Sequence, residues 1–400
     1  VPSEEYLMSI DPRTRGLSET CNQRGPNRPL FTKGGPPNYV QNSLKAAAEP
    51  FKGITANGDI IPNLFSLNKS GISTESIRQA AEAFLASLTS EQRAKTLFPV
   101  DTDQWRKWSN IHPTLLRHGT ALFEMSDAQR DCAFGLLRES LSQRGFEETL
   151  DIMHLNETVL EMTGRLDEYG EDLYWLSIMG APSATEPWGW QWDGHHLIIN
   201  YVVLGDQIVV TPTFLGAEPV HAVSGKYAGL RAFKGDGDRG LALFRALSES
   251  QRGKTVIAPE TAGEDFTTAF RDNLVLDYQG IRAGELSSAQ HELLLGLVDY
   301  HVGRMRDGHA RVKMDEVKRH LNDTYFCWMG GGSNDSVFYY RVQSPVIIVE
   351  FDHQRGIAFR ERTKPYKDHI HVIVRTPNGN DYGKDLLRLH YQQGHHASGR

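Results

Sequence analysis

Four stretches of this chain recur in the same order about 150 to 160 residues later. "LTSEQRAKTLFPV" from Leu88 resembles "LSESQRGKTVIAP" from Leu247, and "MSDAQRDCAFGLLRESL" resembles "LSSAQHELLLGLVDYHV". "LYWLSIMGAP" resembles "TYFCWMGGGS", and "WGWQWDGHHLIINYV" resembles "FYYRVQSPVIIVEFD". Matched positions are separated by 159, 161, 151 and 150 residues. Common Ser-x-x-Gln helix starts explain the first two matches by themselves, but not the last two. Order and spacing together therefore favour an internal duplication.

Each copy is typical of two helices followed by a pair of antiparallel strands. The sequence thus predicts an α+β protein of two similar halves related by a pseudo-two-fold, with mainly antiparallel sheets. We expect an extended arm rich in Pro and Gly over residues 1–72, a first half over 73–246 and a second over 247–400, the halves forming one compact catalytic unit. A helix is expected over about Thr74–Leu88, where apolar residues keep helical spacing. A cleft between the halves would be a preferred place for a site.

Composition excludes several classes of partner. The formal net charge is −7 and the isoelectric point about 6.2, so no nucleic-acid surface of clustered Lys and Arg is expected. No apolar run approaches the length of a membrane span. Three widely spaced cysteines (Cys21, Cys132 and Cys327) predict neither a disulfide framework nor a thiolate metal cluster. The start of the sequence lacks the pattern of a secretion signal, so the cytoplasm is the expected location. The oligomeric state is left open.

Histidines are concentrated at two places in the predicted strands. "DHIHVIVR" sets His369 and His371 one residue apart, so their side chains share a strand face about 6–7 Å apart at Cα. "GHHL" supplies His195 and His196 in the first half. Together with a carboxylate, this is the composition of catalytic zinc or non-haem iron sites. We predict one divalent ion, zinc or iron, bound by His369, His371 and at least one of His195 and His196. The alternative is an ordinary half-polar strand face, which needs no ion.

Strand alternation assigns further residues to this site. Reading "WQWDGHHLIINY" as one strand places Trp190, Trp192, His196 and Asn200 on one face. At the repeat offset Asn200 corresponds to Glu350, so the two side chains would face each other or one cavity from the two halves.

Chemical type suggests a role for each of these neighbours. Glu350, with Asp352 on the same strand face, could act as a general base or a ligand. Arg375 shares the face of His371 and could bind a substrate carboxylate through two hydrogen bonds, although an ion pair with Asp352 or Asp381 explains it equally well. Alternating tryptophans are more often core than a ligand-stacking wall. The predicted substrate-binding set is Trp190, Trp192, Asn200 and Tyr340.

Several motifs taken together resemble one family. "GHHL", "TPTFLGAEP", "YYRVQSPVIIVEFD", "HIHVIVRTP" and "DLLRLHY" occur in order between about Leu88 and Tyr391, and they resemble the domain-of-unknown-function family 3500. The resemblance implies no activity. The chain departs from the family pattern at His353, where the family usually has Asn. The positions that the resemblance marks as family signatures are Gly194, His195, His196, Glu350, Asp352, His369, His371, Arg375 and Asp381.

Three functions from different classes fit this sequence. The favoured one is a metal-dependent hydrolase that activates water on a single His- and carboxylate-bound ion and acts on a small organic molecule, aromatic or carboxylate-bearing. A non-haem iron oxygenase or related oxidoreductase is the second. The third is a metal-free protein whose halves enclose a small ligand between aromatic walls. Metal content, and activity before and after chelation, separates them.

Overall fold

The computed structural model describes residues 38–110, 117–261 and 263–397, together with a few positions between residues 13 and 21. Much of the predicted N-terminal arm over residues 1–72 therefore lies outside the described residues. None of the described helices is both long and apolar enough to cross a membrane.

The chain alternates groups of helices with groups of strands. The helices are α1 (Asn38–Ala48), α2 (Glu75–Ser87), α3 (Ser90–Thr96), α4 (Asp127–Ser140), α5 (Gln143–Thr163), α6 (Lys234–Ala246), α7 (Glu249–Thr255), α8 (Ser288–Val302), α9 (Asp307–Arg319) and α10 (Lys384–Ala397). The strands are β1 (Leu97–Phe98), β2 (Thr120–Ala121), β3 (Tyr174–Met179), β4 (Trp188–Gly194), β5 (Leu197–Leu204), β6 (Gln207–Val209), β7 (Thr213–Ala217), β8 (Val256–Ala258), β9 (Ile281–Arg282), β10 (Tyr325–Gly330), β11 (Phe338–Gln343), β12 (Ile348–His353) and β13 (Ile370–Arg375).

Side-chain caps set the starts of several helices. The predicted helix near residues 74–88 is confirmed as α2, which Thr74 precedes and Leu88 follows. The recurring Ser/Thr-x-x-Gln pattern forms reciprocal capping boxes, in which the hydroxyl accepts from the Gln amide N–H and the Gln side chain accepts from the cap residue's N–H. These boxes open α3, α4, α7 and α8. The Ser/Thr-x-x-Gln pattern shared by the first two sequence matches is therefore a local signal for the start of a helix.

The described strands form one 13-stranded sheet, in which ten strands follow the order β1-β3-β4-β5-β7-β13-β12-β11-β10-β8. The other three strands, β2, β6 and β9, lie off this path and pair with β3, β5 and β10. The two outermost contacts, β1–β3 and β8–β10, are parallel, and every other pairing on this path is antiparallel. The predicted α+β class with mainly antiparallel strands is therefore confirmed. At the centre, β7 pairs with β13, so the sheet is continuous across the predicted boundary between residues 246 and 247. The pseudo-two-fold and the duplication themselves stay predictions.

The two faces of this sheet differ in chemistry. Directly paired residues of antiparallel strands point to the same face, so the register assigns each side chain. One face, here called the apolar face, packs against helices; for example, Phe134 of α4 contacts Trp192 and Phe244 of α6 stacks on Trp328. The other, here called the polar face, is contacted by described residues of the segments between β1 and β2 and between β8 and β9, such as Arg117 and Thr267. Its side chains include Gln191, Asp193, Asn200, Arg341, Glu350, Asp352, His371 and Arg375.

One local prediction was wrong. "WQWDGHHLIINY" is two strands, because His195 and His196 form a two-residue turn between β4 and β5. Asn200 consequently pairs with Gln191 and shares the polar face, whereas Trp190 and Trp192 lie on the apolar face. His196 has a φ of 60°, in the left-handed region, where His is enriched relative to most residues. Neither histidine is a typical turn residue, so the sequence alone did not indicate the reversal.

The buried imidazole of His353 predicts a pH-dependent loss of stability. Burial lowers the pKa of His353 to about 4, against about 6.5 in an unfolded chain. As the pH falls from 6.5 to 4, the unfolded chain gains a proton that the folded protein does not accept. This residue should therefore lower the free energy of unfolding by about 1.4 kcal/mol per pH unit across that window.

Urea unfolding of the wild type and of His353→Asn at several pH values measures this contribution. The difference between the two proteins should change by the stated slope between pH 6.5 and about 4 and stay constant above that window, because every other titrating group is shared. A difference that is independent of pH would contradict the prediction.

Candidate metal centre

Three histidine side chains converge at one end of the central strands. His196 lies in the β4–β5 turn, His369 immediately precedes β13 and His371 lies on β13. Their Nε2 atoms are 3.2 Å apart for His196 and His369, 3.0 Å for His369 and His371, and 3.1 Å for His196 and His371. These residues, here called the histidine cluster, are a group that could hold a metal ion. The pair that the sequence placed on one strand face is thus joined by a histidine from the other predicted half.

Backbone contacts fix the position of His196. Its amide donates to the carbonyl of Asn110 (3.1 Å), and its carbonyl accepts from the amide of Gly216 on β7 (2.8 Å). Gly216 is opposite His371 in the β7–β13 pair. A Cβ at position 216 would lie 2.8 Å from Cδ2 of His371 and 3.3 Å from Cδ2 of His196. Glycine is therefore required here for the two rings to approach each other.

The spacing of the three nitrogens matches that of a metal coordination face. Imidazole nitrogens bind zinc at about 2.0–2.1 Å, which separates neighbouring ligand atoms by about 3.3 Å in a tetrahedron and about 2.9 Å on an octahedral face. The observed separations of 3.0–3.2 Å fall between these two values.

Hydrogen bonds on the far side of two rings fix which nitrogen carries the proton. Nδ1 of His369 is 2.6 Å from the carbonyl oxygen of Arg355, and Nδ1 of His371 is 2.7 Å from a carboxylate oxygen of Asp265. Both partners are acceptors, so both Nδ1 atoms donate and, in the neutral rings, both Nε2 atoms carry lone pairs. Two lone pairs directed at each other over 3.0 Å repel, whereas a cation between them would be bound by both.

Burial favours the neutral form of His196 and of His369. His369 is 0% exposed, and His196 and His371 are 6% exposed each. Desolvation lowers the pKa of His196 and of His369 well below its ordinary value, and the neighbouring imidazoles add to the effect. Neutral imidazole is the form that binds metals.

Asp265 belongs to a chain of hydrogen bonds behind His371. Its second oxygen accepts from the side-chain amide of Gln354 at 3.2 Å, and the same amide donates to Asp352 at 2.8 Å. Asp352 also accepts from the hydroxyl of Thr261 at 2.8 Å. Burial raises the pKa of Asp352 well above its ordinary value, and the charge of Asp265 raises it further. A carboxylate that orients a ligating histidine in this way is typical of metal sites.

Glu218, at the end of β7, holds the segment that leads into His369. Its carboxylate accepts from the amides of Ile357, Ala358 and Phe359 and from the hydroxyl of Tyr366. One of its oxygens is also 3.5 Å from Nδ1 of His369. Sequence reasoning missed Glu218, Asp265 and Gln354, because each belongs to an irregular segment without periodicity. "TPTFLGAEP" contains Glu218 and was the only signal that pointed near any of them.

His195 supports the cluster from behind. Its ring stacks on His196 at 3.9 Å between centroids, and its Nδ1 is 2.7 Å from the side-chain oxygen of Asn156. Of the adjacent pair, His196 is thus the member that the structure brings to the histidine cluster.

Glu350 lies on the polar face, paired with Ile373 two residues beyond His371. Its carboxylate accepts from the amides of Phe266 and Thr267 (2.9 Å each), the hydroxyl of Thr267 and the hydroxyl of Tyr339 (3.0 Å). Burial raises the pKa of Glu350. The donors of Phe266 and Thr267 tie Glu350 to the residues that immediately follow Asp265.

Arg375 is enclosed by two carboxylates. Its guanidinium is 2.9 Å from Asp272 and 3.0 Å from Asp381. It is fully buried, and Arg106 contacts Asp272 from the other side at 2.8 Å. The ion pair with Asp381, one of the alternatives that the sequence left open, is therefore present.

The predicted substrate-binding residues do not meet at the histidine cluster. Trp190 stacks on Tyr201 within the apolar face. Tyr340, also on that face, hydrogen bonds to His301 and to the carbonyl of Asp236. Asn200 bonds within its own half, to Gln191 and the carbonyl of Pro212. Trp192 contacts Phe134 and Tyr174. The strand order separates Asn200 from Glu350 by two intervening strands, β7 and β13.

The fold and site define a class: an α+β protein with one continuous mixed sheet and a buried three-histidine group suited to a metal ion. Within that class, the chain belongs to the family described as protein of unknown function (DUF3500), whose profile matches residues 70–384. Comparison with curated proteins found no match, and comparison with solved structures found none.

The histidine cluster predicts about one bound divalent ion per chain. After incubation with Zn²⁺ and removal of excess metal, elemental analysis should find about one equivalent in the wild type and almost none in His371→Ala, which removes one of three ligands. His390→Ala is the matched control, because that histidine is on the surface helix α10 and outside the cluster. It should bind as the wild type does.

The substitution Asp265→Asn should give a zinc affinity between those of the wild type and His371→Ala. The amide keeps the shape but weakens the bond from Nδ1 of His371, so the affinity for zinc should fall roughly 10- to 100-fold in a chelator competition. Equal affinity in the wild type and His371→Ala would show that the cluster does not bind the ion.

Proposed function

We propose that this protein is a metal-dependent hydrolase that uses one divalent ion, zinc rather than iron, held by His196, His369 and His371. The observation that carries the proposal is the convergence of three Nε2 atoms within 3.2 Å of one another. Two of them have their lone pairs directed inward by acceptors behind the rings. Three histidine ligands would leave the full charge of an ion available, and an ion held by His196, His369 and His371 would supply Lewis acidity for the activation of water.

The residues around the cluster orient its imidazole rings. Asp265 holds the ring of His371, and the carbonyl of Arg355 holds that of His369. Asp352 acts through Gln354 on Asp265, and Glu350 fixes the backbone just after Asp265. We assign Glu350 and Asp352 to positioning and Arg375 to an ion pair that anchors Asp272. The near-complete burial of the cluster favours a small organic substrate.

An iron oxygenase is the second candidate, and a metal-free binding protein is the third. Among the described residues, no carboxylate oxygen joins the three histidine nitrogens. The two-histidine, one-carboxylate ligand set of many non-haem iron oxygenases is therefore not the arrangement found in this part of the chain. The inward lone pairs argue against a site that functions without a cation.

Hydrolysis of a small activated ester, nitrophenyl acetate, tests the proposed chemistry. The zinc-loaded protein should hydrolyse it, the chelated protein should not, and added zinc should restore the rate, because water activation depends on the ion. His390→Ala should match the wild type, and His371→Ala should be inactive. Oxygen consumption by the iron-loaded form without hydrolysis by the zinc form would support the oxygenase instead.

Glu350→Gln distinguishes a positioning role from a role as general base. In a positioning role, affinity for zinc and turnover should fall together, because the contacts that fix residues 266 and 267 are weakened. A general base would lose turnover by roughly 10²- to 10⁴-fold with metal affinity unchanged. Metal affinity by chelator competition, measured beside turnover, separates the two.

We also propose that the two halves are copies of one ancestral unit. Matched contacts support this. Gln92 donates to the carbonyl of Glu124 and to Gln129, and Gln251 donates to the carbonyl of Glu285 and to Gln290. Strand β2 pairs with β3 as β9 pairs with β10. The sheet order on either side of the β7–β13 contact also repeats the same sequence of elements.

Substitution of either of the two equivalent glutamines, Gln129 and Gln290, should cause the same loss of stability. Gln129 and Gln290 are 7% and 8% exposed. Gln129 donates to the carbonyl of Ser87 at the end of α2, and Gln290 donates to the carbonyl of Ala246 at the end of α6. Each glutamine side chain also accepts from the amide of its capping serine. Gln129→Ala and Gln290→Ala should each lower the free energy of unfolding by about 2 kcal/mol, because several polar partners are left unpaired. A large loss for only one of them in chemical denaturation would count against equivalence.

A further inference from the structure

A cavity of about 380 Å³ lies on the apolar face of the sheet, away from the histidine cluster. Its floor is formed by the central strands: Ile199 of β5, Thr213 and Leu215 of β7, and Val374 of β13. Alternation puts Phe214, Gly216 and His371 on the opposite side of the same strands. This space, here called the central cavity, is therefore separated from the candidate metal centre by the thickness of the sheet.

Both halves of the chain line the central cavity. Helix α5 contributes Gly145 and Thr149, and helix α9 contributes His309 and Val312. The chain segments that precede these helices bond to each other, since the amide and the hydroxyl of Ser142 donate to the carbonyls of Arg304 and Gly303. The volume is at the lower end of the range for small-molecule sites, about 300–1,000 Å³.

Two cationic side chains on the wall of the central cavity, Arg304 and Lys313, are already paired with carboxylates. Arg304 contacts Glu148 at 2.6 Å and Asp236 at 2.7 Å. Lys313 contacts Glu316 at 2.7 Å and donates to the carbonyl of Val346 at 2.8 Å. A bound ion would have to displace these partners or remain unpaired, which is costly in a partly buried site. The wall therefore favours an uncharged occupant.

One imidazole on the wall has a nitrogen without a hydrogen-bond partner among the described residues. His309 is 3% exposed, and its Nε2 is 3.3 Å from the carbonyl oxygen of Asp206. Its Nδ1 has no hydrogen-bond partner among the described residues. Because Nε2 faces a carbonyl, Nε2 carries the proton and Nδ1 presents a lone pair. A hydroxyl or N–H group of a ligand would satisfy it.

The mouth of the central cavity carries an exposed apolar side chain. Val312, on the surface of α9, is 43% exposed and belongs to the lining. Other exposed residues of the lining are Ser66, Asn68, Lys69, Asp315 and Arg319. Lysine, arginine and aspartate are mixed here, so the mouth has no single sign of charge that would attract an ion.

From volume, lining and charge, we propose that the central cavity is a second binding site, for an uncharged, mainly apolar small molecule that carries one hydrogen-bond donor. The apolar body would cover Ile199, Leu215 and Val374, whose burial supplies the affinity. The site does not depend on the metal or on the proposed hydrolysis. A ligand there would contact the reverse side of the strands that carry Gly216 and His371.

Two fluorescent probes with the same aromatic framework test this. N-phenylnaphthylamine is neutral and has one N–H, whereas anilinonaphthalene sulfonate adds a negative charge. The full-length protein should bind the neutral probe at least roughly tenfold more tightly than the sulfonate. Absence of binding by the neutral probe would overturn the site, and equal or tighter binding of the sulfonate would overturn the assigned ligand class.

A pair of surface substitutions locates the bound probe. Val312→Asp puts a charge at the mouth and should weaken binding of the neutral probe roughly tenfold. Leu293→Asp is the matched control, because Leu293 is 37% exposed on helix α8 and outside the lining. It should bind as the wild type does. Equal affinities in the two variants would place the probe elsewhere and refute the proposal.

Discussion

The antiparallel contact between β7 and β13 is the interaction on which the rest of the structure depends. It joins the strands of residues 174–217 to those of residues 325–375 in one sheet. It also sets Gly216 beside His371, where the absence of a side chain lets the imidazoles of His196 and His371 approach. A shift of this register by one residue would turn His371 to the apolar face and bring Val372 to the polar face. Fold and candidate metal centre are therefore specified by the same pairing.

The polar face shows how a buried surface of charged side chains can be tolerated. Arg375 lies between Asp272 and Asp381, and Arg106 also contacts Asp272. Such buried pairs add little net stability, but loss of one partner leaves an uncompensated charge, which is strongly unfavourable. Here their partners reside in the irregular segments that cover the sheet. The pairs thus hold those segments in one arrangement, and the segment that contains Asp265 is one of them.

Local sequence patterns predicted a substantial part of this architecture. Helical spacing indicated α2, and Ser-x-x-Gln patterns marked helix starts that the structure has as capping boxes. The proximity of the His369 and His371 side chains followed from strand alternation alone. Each of these features depends on residues within a few positions of one another, where spacing determines which side chains are neighbours.

Features that depend on distant residues were not predictable in the same way. The turn at His195 and His196 lacks the usual Gly or Asn signal, so Trp190 and Trp192 were placed on the wrong side of the sheet relative to Asn200. Asp265 reaches His371 across 106 positions of sequence. No periodic pattern connects two such residues, because their contact depends on how loops pack over the finished sheet.

The histidine cluster has a consequence for how long the folded chain persists. His196 and His369 are 173 positions apart, so an unfolded chain retains only the local pair of His369 and His371. An ion that binds only the complete cluster stabilises the native state by mass action, by about 2.7 kcal/mol when its free concentration is a hundred times the dissociation constant. Proteolysis of transiently opened chains falls as that free energy rises. Metal supply would then set the cellular abundance of this protein as well as any reaction at the ion.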